Sequence, residues 1–361
     1  MLGITGRRLR AHGLTGKPFA SPVDAVRRLG AVQSQDYAGA KWALAQRSRA
    51  ATDSALDRLF DQGEILRTHV MRPTWHFVVP EDIGWLLDLT ASRIRAGLAS
   101  RYRELAIDDK VAARACETFA AALAGGKHLT RAELGKTLLA AGISPEGQRL
   151  PHLLLRAELD KIIVSGPRRG RESTFALFDE RVPKAREIDR NESLTELTRR
   201  YFRSHGPAQI PDFTWWSGLT AAEARKGIEH AGRALEHASI EGKDYWYDAT
   251  ASHPRGAPVV AHLLPNFDEY TVGYRDRSAL IPAGGGFDPS LFSFGSILSN
   301  VVTIDGVVRG AWRRSSARGG LLIEMRMSER LAARETAAVD EATRRLARFL
   351  GRPLKLALTQ S

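Results

Sequence analysis

The chain has 361 residues, 43% hydrophobic and 26% charged, which is the balance of a globular protein with two or three domains. Its formal net charge of +12 favours a polyanionic partner, nucleic acid ahead of an anionic membrane surface. Cys116 is the only cysteine, which excludes an internal disulfide and a cysteine-based zinc site, and no apolar run approaches the roughly eighteen residues of a membrane span.

The first part of the chain combines helices with a pair of short strands. A helix that starts at Pro22 has apolar residues at helical spacing and is predicted to end at two glutamines, Gln33 and Gln35. A second capped helix is predicted over 53–61, and two strands joined at Arg72-Pro73 follow it. Helices followed by a strand pair are the order of a winged helix-turn-helix unit.

The next part repeats this order. After a helix over 111–123, Thr130 and Glu133 have the spacing of a capping box, which starts the following helix. Two strands then flank a loop rich in arginine and glycine, as in a wing. The three loop arginines are predicted to contact phosphates, with a solvated turn as the alternative: Arg168, Arg169 and Arg171.

The remainder begins with helices and becomes strand-rich from about residue 237. The Trp215-Trp216 pair lies in a helical pattern and is predicted to pack in the core. Asp305-Gly306 between two β-branched runs indicates a hairpin, and a helix over 329–350 is predicted to close the β unit. The far arm of the hairpin carries Arg309, Arg313 and Arg314 around Trp312. This arm suits a DNA groove or a single strand, and a charge-blunted sheet edge is the alternative.

The two glutamines are the residues with the clearest chemical potential. Amides are poor acids and bases, but each offers one acceptor oxygen and two donor hydrogens, so the pair can hold a water or a base edge. The alternative is a polar helix end that satisfies nearby backbone groups. Asp268-Glu269 is interpreted as structural because no metal-ligand spacing accompanies it, and Gly284-Gly285-Gly286 as a loop rather than a phosphate cradle.

Several stretches together resemble the AlkZ/YcaQ-like winged-helix DNA glycosylase family over nearly the full chain. Gln33-Ser34-Gln35 corresponds to the Gln-x-Gln motif of one branch, although its middle position is often aliphatic in the family and is serine here. A second motif is Arg72-Pro73-Thr74-Trp75-His76. The matching segments are 31–35, 67–78, 214–219, 264–270, 273–277 and 305–314.

The resemblance implies an α+β fold with tandem winged helix-turn-helix units, a C-terminal β-rich unit and a C-shaped molecule with a basic channel for DNA. We expect three parts: 1–104 with the Gln-x-Gln motif, 105–190 as a second winged-helix unit, and 191–361 with a third unit, the β unit and the closing helix. It also implies a bacterial DNA repair enzyme, a monofunctional glycosylase that excises N7- or N3-alkylated purines from double-stranded DNA, interstrand crosslinks included. We expect a cytoplasmic, nucleoid-associated monomer without a metal or cofactor.

The predicted chemistry needs no general acid, because an alkylated purine already leaves with a positive charge. Gln33 and Gln35 would position the attacking water. Asp36 could stabilise positive charge on the sugar, or simply cap a helix. His76 could reach the lesion, or be a structural histidine. Because many relatives are known only as winged-helix DNA-binding proteins, a non-catalytic regulator or lesion sensor is the alternative function.

Overall fold

The computed structural model describes residues 3–182, 185–251, 259–282, 300–317 and 320–360. The Gly284-Gly285-Gly286 prediction lies outside these ranges. Helices and strands alternate in a mixed α+β fold, as predicted. Within the described ranges, no helix is long and apolar enough to cross a membrane.

The first group of elements surrounds a three-stranded antiparallel sheet with the order β1-β3-β2. In chain order it comprises α1 Ile4–Ala11, α2 Pro22–Leu29, β1 Val32–Gln33, α3 Tyr37–Arg47, α4 Asp53–Asp61, β2 Leu66–His69 and β3 Trp75–Val78. The prediction that the glutamines end a helix is wrong: α2 stops at Gly30, whose φ of 84° breaks the helix, and Gln33 pairs with His76 in the sheet. Strands β2 and β3 occur where the sequence placed them.

The second group repeats this order around a sheet with the order β4-β6-β5. After the long helix α5 Pro80–Glu104, it comprises α6 Asp109–Leu123, β4 Leu129–Thr130, α7 Arg131–Ala140, α8 Arg149–Leu159, β5 Ile163–Ser165, β6 Thr174–Leu177 and the short α9 Phe178–Arg181. The predicted capping box is present, since Thr130 Oγ1 accepts the Glu133 N–H and Glu133 Oε2 accepts the Thr130 N–H. Helix, strand, two helices and two strands therefore occur twice.

The third group shows the same order with a reduced sheet. It comprises α10 Arg190–His205, α11 Ile210–Ser217, α12 Ala221–Ala231, β7 Leu235–Ile240 and β8 Lys243–Asp248. A single bridge between Ala208 and Trp246 replaces the first strand of the other two sheets. The tryptophan prediction holds for Trp216, which is fully buried, but not for Trp215, which is 47% exposed.

The β unit is a five-stranded sheet with the order β13-β12-β11-β10-β9. Its elements are β9 Ala261–Leu264, α13 Glu269–Val272, β10 Val301–Ile304, β11 Val307–Ala317, β12 Gly320–Met327, α14 Ala333–Leu350 and β13 Leu354–Gln360. The Asp305-Gly306 hairpin is confirmed: both residues have positive φ, 50° and 81°, as a type I′ turn requires. Helix α14 packs against the sheet as predicted but begins at Ala333 and not at 329, and β13, which pairs parallel to β12, was not predicted.

Candidate functional site

The two glutamines lie where the first sheet meets the start of α3. Gln33 is opposite His76 on β3, and the Ser34 N–H extends the ladder by donating to the Trp75 carbonyl at 2.7 Å. Gln35 follows two residues later, at a bend between β1 and α3, so both amides lie on one short segment. The sheet therefore fixes the position of Gln33, and α3 begins two residues beyond Gln35.

Gln33 is fixed at both its backbone and its side chain. Its N–H donates to Glu269 Oε1 at 2.6 Å, and its Oε1 accepts from Arg72 Nη2 at 3.2 Å. Only 7% of the residue is exposed. A carbonyl oxygen has two lone pairs, so Gln33 Oε1 can accept a second hydrogen bond from a water while Arg72 holds it in place.

Glu269 is a buried carboxylate beneath this amide, and sequence reasoning missed it as a site residue. Besides the Gln33 N–H, it accepts the Trp216 Nε1–H at 2.8 Å, and His205 Nε2 lies 3.5 Å away. Burial alone raises the pKa of this carboxyl, but the contact with His205 and the hydrogen bond from Gln33 outweigh burial and bring the pKa to about 2. Glu269 is therefore an ionised anchor between the first and third groups of elements.

Gln35 differs from Gln33 because it is exposed. Its Oε1 lies 3.4 Å from the Trp75 N–H, a long contact that leaves the amide free to turn towards a ligand. Arg67 supports the segment by donating to the Ser34 carbonyl at 2.8 Å, and its guanidinium lies 4.5 Å from the Trp75 ring centre. A rigid amide and an adjustable amide thus stand side by side.

Asp36 and His76 both have structural tasks in this arrangement. Asp36 is the N-cap of α3, with its Oδ1 accepting the Ala38 N–H at 3.1 Å. His76 is fully buried and its Nδ1–H donates to the Thr74 carbonyl at 2.9 Å. Burial and the nearby Arg72 cation lower the pKa of His76 to about 3, so the ring is neutral at neutral pH and cannot serve as an acid there.

The arginines of the second wing are tied to protein groups. Arg168 pairs with Asp57 at 3.3 Å and lies 4.7 Å from the Tyr37 ring centre. Arg169 pairs with Glu133 at 2.8 Å, while Arg171 is exposed. Arg168 therefore connects the second wing to the glutamine-bearing group, and phosphate contact by these arginines stays a prediction.

The three hairpin arginines differ in their surroundings. Arg309 is mostly buried and paired with Glu329 at 2.7 Å. Arg313 and Arg314 are exposed and line a cleft of about 240 Å³ that Asp36 also lines. The fold thus brings two of the three hairpin arginines beside the glutamine segment. The third, Arg309, instead connects the sheet to α14 through its ion pairs.

Within the described ranges, no group of three or more histidine, cysteine or acidic side chains is arranged to hold a metal ion. The chemistry available at the glutamine site from the described side chains is hydrogen bonding by amides and arginines above a buried carboxylate.

Comparison with known proteins defines the class. The family profile described as "DNA glycosylase AlkZ-like" matches residues 26–349, and the chain belongs to this family. It is 27% identical over 326 residues to a Streptomyces sahachiroi protein named "Interstrand DNA cross-link repair glycosylase", covering 84% of this chain and 85% of that protein. The solved structure of Streptomyces sahachiroi DNA glycosylase AlkZ has the same fold, with a TM-score of 0.76, 23% identity and 98% of each chain covered.

Proposed function

We propose that this protein is a monofunctional DNA glycosylase that hydrolyses the N-glycosidic bond of purines alkylated at N7 or N3 in double-stranded DNA, interstrand crosslinks included. The observation that carries the proposal is the pair of amides two residues apart, Gln33 held rigidly and Gln35 exposed, in a member of the AlkZ-like family. The name of the Streptomyces sahachiroi relative supports crosslinks as substrates.

The glutamine site suits a substrate that leaves without a proton. An N7- or N3-alkylated purine already carries positive charge, so its departure needs no general acid. The remaining task is to hold a water against the sugar while positive charge develops there, and two acceptor oxygens can do this by orientation. Arg72 holds Gln33 Oε1 in one position, whereas the exposed Gln35 side chain can change its orientation. The water would therefore have one fixed and one movable acceptor.

Exposure of Gln35 bears on the size of the lesion. An enzyme that encloses a flipped base in a tight pocket cannot accept a base that remains joined to the other strand. Because Gln35 lies on the surface, the proposed reaction does not require enclosure. The Asp36 cap and the burial of His76 favour the structural alternative for both of these residues.

The test is base release from a duplex with one N7-methylguanine, corrected for spontaneous loss. We expect Gln33→Ala and Gln35→Ala each to lower the rate on the order of a hundredfold or more, with duplex affinity retained. Gln62→Ala, at an exposed glutamine of the same group of elements, is the matched control and should release base at the wild-type rate.

A second substrate decides between the enzyme and the alternative function. Base release from a crosslinked duplex is measured in the same way. Sedimentation of the purified protein tests separately whether it is a monomer, as we propose. Intact duplex binding without release from either substrate would contradict the proposal and favour a non-catalytic DNA-binding protein.

A further inference from the structure

A second basic cleft lies outside the glutamine site, between α1, the end of α2, α10 and β8. Its volume is about 230 Å³, and none of its lining residues lines the glutamine site or the hairpin cleft. Five basic side chains line it: Arg7, Arg10, Lys17, Arg28 and Arg203. Asp248 is the one carboxylate among its lining residues in the described part of the chain.

The arginines of this cleft are held close together by the fold. Arg28 donates to the Arg203 carbonyl at 2.8 Å, and Arg203 Nε lies 3.2 Å from Asp248 Oδ2. Burial and the like charge of Arg203 lower the pKa of Arg28 to about 10. The Arg7 guanidinium lies 5.0 Å from the Tyr247 ring centre. Arg28 and Arg203 carry like charges beside a single carboxylate, Asp248, and a bound anion would relieve their repulsion.

An adjoining cleft extends the positive surface. It has a volume of about 390 Å³ between α2 and α10 and shares Arg28 and Arg203 with the first. Its further arginines are Arg27, Arg199 and Arg200, which pair with nearby carboxylates. Two adjoining basic clefts fit a chain of phosphates better than a single free anion, and arginine forks match phosphate oxygens.

We propose that the cleft between α1 and α10 binds backbone phosphates of DNA as a site separate from the glutamine site. The ligand is the phosphodiester group, recognised by charge and arginine geometry and without base specificity. The inference rests on DNA as the substrate in the proposed function, but it concerns affinity and not the chemical step. Arg10 and Lys17 are exposed at the rim, so an extended strand can reach the cleft.

The experiment measures affinity for undamaged duplex at several salt concentrations. Arg10→Gln combined with Lys17→Gln changes two exposed side chains at the edge of the cleft, so the fold should be retained. A separate variant, Arg28→Lys, tests the partly buried side of the cleft. Arg344→Gln, exposed on α14 and paired with Glu341, is the control. We expect the double variant to bind on the order of tenfold more weakly near 0.1 M salt, with the slope of log affinity against log salt reduced by about two. Base release at saturating enzyme should be unchanged, which separates this inference from the proposed function.

Inorganic phosphate and pyrophosphate, tested at constant ionic strength, distinguish the source of the phosphate. Thermal stabilisation of the wild type by either anion, without any change in duplex affinity in the double variant, would overturn the DNA assignment in favour of a free anion. The same affinity and salt slope as Arg344→Gln, without stabilisation by either anion, would overturn the phosphate site altogether.

Discussion

Glu269 holds the backbone of Gln33 in place without reaching the surface. Its Oε1 accepts the Gln33 N–H at 2.6 Å and its Oε2 accepts the Trp216 Nε1–H at 2.8 Å. Glu269 is only 1% exposed, so it cannot touch a substrate and acts through Gln33. It is a positioning residue in the proposed reaction, comparable to the groups that orient metal ligands from behind.

We expect Glu269→Gln to slow base release on the order of tenfold to a hundredfold while duplex affinity stays within about twofold of the wild type. In the wild type, each carboxylate oxygen of Glu269 accepts one N–H. Glutamine replaces one of these oxygens with an NH₂ group, which cannot accept, so either the Gln33 N–H or the Trp216 N–H loses its acceptor and the local structure has to shift. Single-turnover base release and duplex affinity, measured side by side, check this expectation. Glu104→Gln, at an exposed glutamate, is the control.

A purely structural role for Glu269 predicts a different result. Loss of activity would then follow loss of fold, with the melting temperature and duplex affinity falling together. Unchanged base release by a folded Glu269→Gln protein would contradict the positioning role.

At the scale of elements, helix α3 and the short strand β1 define the segment that carries the amides. Strand β1 is held by its register with β3, and α3 begins at its cap, Asp36. An exposed carboxylate interacts with a distant charge through water, which weakens any electrostatic support for catalysis. The cap is the stronger of the two roles considered for this residue.

Two substitutions of Asp36 separate the cap from the charge. Asparagine caps a helix about as well as aspartate, so Asp36→Asn should retain stability and release base within about threefold of the wild type. Asp36→Ala should lower the free energy of unfolding by about 1 kcal/mol, because the Ala38 N–H loses its acceptor. Urea denaturation and base release are measured on both proteins. A stable Asp36→Asn protein with at least a tenfold loss of activity would favour electrostatic support.

Over the whole molecule, buried neutral histidines couple stability to pH. His12, His76 and His262 are fully buried, and burial is the largest cause that lowers the pKa of each, to about 3 for His76 and His262. Between an unfolded pKa of about 6.5 and these folded values, the unfolded chain binds more protons than the folded protein. Stability is therefore expected to fall as the pH is lowered through this range.

Each histidine with a folded pKa of about 3 contributes about 1.4 kcal/mol to the loss between pH 7.5 and 5.5, so His76 and His262 together lower the free energy of unfolding by about 3 kcal/mol. Urea denaturation at the two pH values measures this difference. His262→Gln should reduce this loss by about 1.4 kcal/mol, because the variant no longer has that buried neutral histidine. Equal stability of the wild type at both pH values would contradict the expectation.

Local features of the fold could be predicted from the sequence because their causes are local. Thr130 and Glu133 form a capping box through atoms three residues apart, and Asp305-Gly306 makes a turn that both residues tolerate at positive φ. The β2–β3 pair follows from its β-branched and aromatic residues and the Arg72-Pro73 bend. The family could also be recognised, since its motifs are spread over nearly the whole chain.

Long-range pairing explains the errors. A short apolar run fits a helix or a strand equally well, and β1 is a strand because Gln33 meets His76 across the sheet. Strand β13 pairs parallel to β12, which requires a crossover through α14 that local patterns do not specify.

The sequence by itself determined the composition, the charge, the repeated order of elements and the presence of two amides with acceptor oxygens. Only the tertiary structure decided that Gln33 rests on the carboxylate of Glu269, 236 residues further along the chain. It also gathered Arg10, Arg28 and Arg203 around one cleft. Side-chain identity fixes what a group can do chemically, whereas its neighbours, and hence its pKa and its rigidity, depend on contacts between segments far apart in the chain.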